Sequence, residues 1–266
     1  MTQNKGVTLR NGKYVDPVSG EVLDRWSDCA DKKAKPPLEW WKINQIVDYA
    51  VTQRSAWEQL DERAAKDLLK REPLRQARTA ATIGTDAHSV IEELAAGREV
   101  ECTESNGWVL DAWFSFVDEF AVAVLESEAV AWNPGDGYAG RFDLMLTASL
   151  PRPTRETYEL PDPATLIVDV KSSRSGIFSE TAMQCCAYAM SPTLLREDGT
   201  REDMPEIHGT AALWVRPAGW ALHPLRFDTE VYRAVKALAA LQRFDSAVSA
   251  TAVASAINES PIRRKK

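Results

Sequence analysis

The run Thr165-Leu166-Ile167-Val168-Asp169-Val170-Lys171-Ser172-Ser173 constrains the fold more than any other segment of the chain. It is short, rich in β-branched and aliphatic residues, and reads as a strand over 165–173. Alternate side chains of a strand share a face, so Asp169 and Lys171 project together while Val168 and Val170 pack the opposite way. An acid and an amine on so apolar a strand are costly to bury without partners. A salt-bridged pair at a strand end meets that condition, and so does a reaction centre. A second acid sits in a similar setting: Gly140-Arg141-Phe142-Asp143 leads into Leu144-Met145-Leu146. Asp143 alone reads as a strand-edge carboxylate. Two such acids and a lysine in neighbouring strands are harder to place as unrelated residues.

Around these strands the pattern is helices first, then β-β-β-α-β-β, then a helix. Asn11-Gly12, between the β-prone runs VTLR and KYV, signals a hairpin, and Pro36-Pro37 closes an N-terminal arm over 1–37. Apolar residues at helical spacing (Leu38, Trp41, Ile46, Tyr49, Ala50) open a helix at Leu38. Further helices are expected over 55–71, over 74–96 after a restart at Pro73, over 108–125, over 179–191 and over 229–257. Strands are expected over 127–133 and 138–147 about the turn Pro134-Gly135-Asp136-Gly137, and over 207–216 and 219–226. The expected architecture is α/β: one central mixed sheet flanked by helices. In this division 38–258 is a single domain, with a helical part (38–125) and an α/β core (126–258), and 259–266 is a basic tail.

The chain has 266 residues, 44% of them apolar, enough for one mid-sized domain with extensions. No stretch nears the roughly 18 apolar residues of a membrane span, and the N-terminus has no apolar signal region. No membrane association and a cytoplasmic location are therefore expected. A net charge of −7 argues against a protein that coats nucleic acid through phosphate neutralisation alone. It leaves room for a metal site built from clustered carboxylates. The run Arg263-Arg264-Lys265-Lys266 reads either as a solvated end or as a nucleic-acid contact. The four cysteines, at 29, 102, 185 and 186, form no C-x-x-C pair and read as free thiols. Of the nine tryptophans, Trp40, Trp41, Trp108, Trp113 and Trp132 fall on expected helices and strands, where core packing is the first explanation.

Asp143, followed twenty-six positions later by Asp169-Val170-Lys171, resembles the PD-(D/E)XK nuclease signature. Three further segments resemble the RecB-like branch of that superfamily. Gly84, His88 and Glu92 match its G-x-x-x-H-x-x-x-E helix, and four-residue spacing puts them on one helix face. Glu128 precedes a hairpin that ends in a G-x-x-D at Gly140–Asp143. Gln184 and Tyr188 match its Q-x-x-x-Y helix. Lys35-Pro36-Pro37-Leu38-Glu39-Trp40-Trp41 is similar, more loosely, to the opening of phage-encoded Cas4-family exonucleases.

The resemblance implies a restriction-endonuclease-like core with an N-terminal helical extension. It also implies metal-dependent hydrolysis of DNA phosphodiester bonds by an exonuclease in recombination, repair or phage DNA processing. His88, Asp143, Asp169 and the backbone carbonyl of Val170 would hold Mg²⁺ or Mn²⁺. Lys171 would position the attacking water, Gln184 and Tyr188 would grip the DNA strand, and Glu92 and Glu128 would support the centre. Hard cations of this kind take oxygen ligands and lower the pKa of a bound water, which suits phosphodiester hydrolysis. The expected partners are DNA, as linear ends or single strands, and a recombinase or single-strand annealing protein. The location would be host cytoplasm for a phage gene. No cysteine follows Cys186, so the iron–sulfur cluster of Cas4 proteins is not expected. No G-x-x-x-x-G-K-[ST] loop is present, so no ATP is expected. A structure-specific endonuclease, or a non-catalytic DNA-binding or assembly module on the same fold, are the competing readings.

Overall fold

The computed structural model describes residues 7–16, 18–172, 176–196 and 199–253, with the backbone alone at 37 and 76–85. The basic tail lies outside the described residues. In chain order the strands are β1 (Thr8–Arg10), β2 (Lys13–Val15), β3 (Val22–Arg25), β4 (Ala123–Ser127), β5 (Val130–Asn133), β6 (Tyr138–Arg141), β7 (Leu144–Ala148), β8 (Ala164–Lys171), β9 (Thr193–Leu195), β10 (Arg201–Asp203), β11 (Gly209–Arg216) and β12 (Gly219–Leu225). The helices are α1 (Trp26–Ala30), α2 (Pro36–Thr52), α3 (Glu62–Ala95), α4 (Gly107–Glu119), α5 (Arg152–Tyr158), α6 (Ser179–Ala189) and α7 (Thr229–Ala247).

The class is mixed α/β, but the single sheet expected is two. One has seven strands in the order β1-β2-β3-β6-β5-β9-β10, and the other five in the order β12-β11-β8-β7-β4. The division falls inside one long hairpin. β4 and β7 pair in the five-stranded sheet, whereas their continuations β5 and β6 pair in the seven-stranded one. At the joint Glu128 takes a left-handed φ of 55°, and the ladder is carried across by Glu128 N–H to Asp143 O (3.1 Å) and Phe142 N–H to Ala129 O (3.1 Å). The expected strands 127–133 and 138–147 are thus continuous runs of sequence that change sheet partway.

Helices cover both faces of the five-stranded sheet. On one side Val168, Val170, Leu144, Leu146, Leu213 and Val215 meet α3 and α4 through Ala87, Ile91, Val109, Trp113 and Phe116. On the other, Ile167 and Met145 meet α6 and α7 through Met183, Cys185, Cys186, Ala187, Val235 and Ala239, with Trp26 and Cys29 of α1. The alternation expected for β8 is therefore observed: the two valines face α3 and α4, and Ile167 and its neighbours face α6. A third cluster joins the N-terminal hairpin to β5 and β6 through Tyr14, Leu23, Trp132 and Ala139.

Four boundaries differ from expectation. The chain does not restart at Pro73: α3 runs through it, and Arg75 bridges back to the buried Glu72 with two hydrogen bonds (2.9 and 2.7 Å). Helix-favouring residues on either side absorb a proline cost of about 3 kcal/mol. The expected helix 108–125 ends at Glu119. Ala121 turns left-handed (φ 46°), and Ala123–Ser127 becomes the edge strand β4. A short run of apolar and β-branched residues carries no period that separates helix from strand. The N-terminal arm is not separate, since β3 pairs in parallel with β6, and Pro36-Pro37 opens α2 instead of closing the arm. Finally, the last helix stops at Ala247. The hairpin at Asn11-Gly12 is as expected, both residues having positive φ (51° and 75°), as a type I′ turn requires.

Trp113 and Trp132 are core residues, at 4% and 1% exposure, but Trp40 is 66% exposed on α2. Among the described residues no helix is long and apolar enough to cross a membrane. Cys29, Cys185 and Cys186 are buried free thiols, and Cys102 is an exposed one.

Candidate active site

The joint between the sheets fixes the position of Asp143. Phe142, in the core, ends the pairing with β5, and β7 begins at Leu144, so Asp143 is the turning residue between two ladders. Its carboxylate stands in for a strand carbonyl: Val170 N–H, beyond the last residue of β8 paired with β7, donates to Asp143 Oδ2 (2.7 Å). Asp169 lies one residue earlier on β8 and is 3% exposed. Its Oδ1 accepts from Gln184 Nε2 of α6 (2.8 Å), and its Oδ2 is ion-paired with the Lys171 ammonium. The enclosed Oδ2 has this ion pair as its contact.

From the other side, α3 brings His88. Its Nδ1 is 3.6 Å from Asp143 Oδ2, and the Val170 backbone is near enough to favour its protonated form. Glu92, one turn along α3, and Glu128, at the joint, are close enough to act electrostatically on Asp143 and on each other. Arg141 is 3.6 Å from Glu128 at the outer edge. Five separate segments thus meet: α3, the Glu128 joint, the Asp143 joint, the end of β8, and α6.

The electrostatics show a shortage of positive charge. Burial pushes Asp143 above the usual carboxylate range, although Val170 N–H and Lys171 draw it back. Burial, then the neighbouring Asp143, push Asp169 up to about 6. Burial, then Asp143 and Glu92, push Glu128 up to about 7. Lys171 is raised as well: burial favours its neutral form, but Asp169 and Asp143 outweigh that and keep it charged. His88 is lowered by burial and by the Lys171 charge, so its imidazole is neutral at neutral pH and retains a lone pair. The buried Asp169, the partly buried Asp143 and two nearby glutamates face one ammonium, with Arg141 only at the outer edge beside Glu128. A divalent cation would relieve that imbalance, and carboxylates, a backbone carbonyl and a neutral imidazole are donors suited to Mg²⁺ or Mn²⁺. Among the described residues no three His, Cys, Asp or Glu side chains stand in a finished ligand geometry. The direct contacts of Asp169 are with Lys171 and Gln184.

Two of the expected DNA contacts are placed differently. Gln184 donates to Asp169, which makes it a support for that carboxylate. Tyr188 is 5% exposed, packed against Phe142 (ring centroids 6.4 Å apart) and over Gly140, so its ring presents no open face to a base. A Cβ at Gly140 would lie 2.4 Å from Tyr188 Cε1. Gly140→Ala is therefore expected to destabilise the protein by about 1–3 kcal/mol through overpacking beside Asp143, measured by denaturant unfolding. An unchanged midpoint would show that the ring moves aside freely.

Sequence reasoning passed over Trp214 and Arg216. Trp214 is paired in register with Lys171, and Arg216 lies on the Trp214 ring. The W-x-R alternation on an expected strand was the available signal. A separate cavity of about 640 Å³ opens at the far end of β8 and β11, by Leu166, Gly209, Phe120 and Leu222. It contains none of the candidate residues, and its largely apolar walls include one acid, Asp228, which is ion-paired with Arg226. No protein-family model matches the chain, and no curated protein matches it in sequence.

Proposed function

We propose that this protein is a divalent-metal-dependent deoxyribonuclease with a PD-(D/E)XK core of the RecB-like branch, an exonuclease acting on linear DNA. The observation that carries this reading is the meeting of His88, Asp143, Asp169, the Val170 backbone and Lys171 at the sheet joint. The antiparallel pair β7–β8, with one acid at the start of β7 and D-x-K at the end of β8, supports the fold assignment. His88, Asp143, Asp169 and the Val170 carbonyl would hold the cation, which when bound polarises a phosphoryl oxygen and lowers the pKa of water.

The remaining roles belong to the chain itself. The Asp143–Val170 hydrogen bond fixes the Val170 peptide, and with it the direction of its carbonyl. Gln184 holds one oxygen of Asp169 so that the other faces Lys171. Lys171, kept protonated by the two aspartates, presents N–H donors that orient a water and stabilise negative charge developing on the phosphate. His88 is neutral and offers a nitrogen lone pair where an imidazolium would repel the cation.

The test is digestion of end-labelled linear single- and double-stranded DNA beside a closed circle, with Mn²⁺ and with chelator. Linear DNA is expected to be shortened from its ends only with the metal, and the circle to stay intact. Cutting of the circle would move the assignment to an endonuclease, and intact linear DNA would reject nuclease activity.

A further inference from the structure

β8 and β11 run parallel, with Ala212 beside Asp169 and Trp214 beside Lys171. Residues side by side in a sheet share a face, so the Trp214 indole stands next to Lys171, while Leu213 and Val215 enter the core under α3 and α4. Arg216 returns to the Trp214 face two residues on. Its guanidinium carbon lies 3.8 Å from the centroid of the indole. The His223 ring of β12 approaches the same indole, centroids 5.9 Å apart. The tryptophan is thus a pedestal that holds the arginine flat.

What Arg216 lacks is an anion. Most arginines with described contacts here are paired with a carboxylate, among them Arg25, Arg141, Arg155, Arg196, Arg201 and Arg226. No carboxylate among the described residues pairs with Arg216, and its enclosed Nε has no hydrogen-bond partner there. Asp111 and Glu119 of α4 line the same open pocket as Arg216 but do not pair with it, and a half-buried guanidinium with no ion pair, in a chain of net charge −7, is matched to an anion from outside.

We infer that Arg216 binds a phosphate of the substrate strand next to the one that is cut. This role rests on the nuclease reading. A guanidinium fork fits two phosphate oxygens, and stacking on an indole pre-orders it for that contact. Arg216 lies one strand across from Lys171 and two residues further along, a backbone offset of about 8 Å, which suits a neighbouring phosphate better than the reacting one. The indole is covered by the guanidinium, so this element reads charge and not base identity.

The test is fluorescence anisotropy of a labelled single-stranded oligonucleotide across a salt series. Ca²⁺ replaces Mn²⁺, being a hard cation with looser geometry. Wild type is compared with Arg216→Ala, Arg216→Lys and Trp214→Leu, with melting curves to confirm folding. Arg216→Ala is expected to raise Kd about 5–20-fold and to reduce the slope of log Kd against log salt by about one contact's worth, 0.7 to 1. Arg216→Lys is expected to keep the slope and lose part of the affinity. Trp214→Leu is expected to weaken binding with an unchanged slope. Wild-type binding with unaltered Kd and slope in Arg216→Ala overturns this role and leaves the nuclease reading standing. If that variant does not fold, an Arg216→Lys Kd equal to wild type overturns it. Wild type that neither binds nor cuts DNA overturns both.

Discussion

Asp143→Asn should lose at least about 10³-fold in cleavage rate and yet be the more stable protein when divalent ions are chelated. The cation contributes several kcal/mol to the transition state, and each 1.36 kcal/mol is a factor of ten in rate, so removal of one of its carboxylates is severe. The stability change has the opposite sign. Burial raises Asp143 above its ordinary value, which means that its charged form costs folding energy. Asparagine can still accept the Val170 N–H, without the charge. The expected gain is read as a higher denaturation midpoint at neutral pH. A carboxyl whose folded pKa is raised is protonated in both states below its unfolded value, near 3.8, so the two proteins should converge there. The difference should grow as pH rises from that value to the folded pKa and level off above it. Chemical denaturation at several pH values in chelator measures this. A destabilised Asp143→Asn would mean that the carboxylate is held by more than its bond to Val170.

Lys171→Met should lower cleavage by about 10²–10⁴-fold and destabilise the chelated protein by about 1–2 kcal/mol, the reverse of the first variant. Lys171 is the ammonium facing Asp143 and Asp169, and Asp169 is already pushed up to about 6 with it present. Without it Asp169 either stays charged at greater cost or takes a proton. Because Lys171 does not hold the cation in this account, Mn²⁺ should still raise the melting temperature of Lys171→Met, and by more than it raises wild type. The same addition should do little for Asp143→Asn. Equal responses to Mn²⁺ in the two variants would show that acid and lysine do not have separate roles.

Much of this centre was legible in the sequence because it is written in local periods. The two-residue period of β8 put Asp169 and Lys171 together, and they form an ion pair. The four-residue period put His88 and Glu92 on one face of α3, and both act on the aspartates. What could not be read is long-range. Whether the hairpin 127–147 stays in one sheet or crosses to another depends on partners elsewhere in the chain, β3 and β9 for one half and β8 for the other. The joint that places Glu128 and Asp143 follows from those pairings. Gln184 and Tyr188 share a helix face, as their spacing requires, but spacing does not reveal what lies opposite. The amide meets Asp169 and the ring meets Gly140, so neither is left open. Arg216 was missed for a similar reason, since its significance comes from the β8–β11 register.

The most direct test of the central claim is one time course: end-labelled linear double-stranded DNA with wild type and Asp169→Asn, each in Mn²⁺ and in chelator. Label release is expected from wild type in Mn²⁺ alone, and none from Asp169→Asn. Labelled DNA left whole by folded wild type in Mn²⁺, or cut equally well by Asp169→Asn, would contradict it.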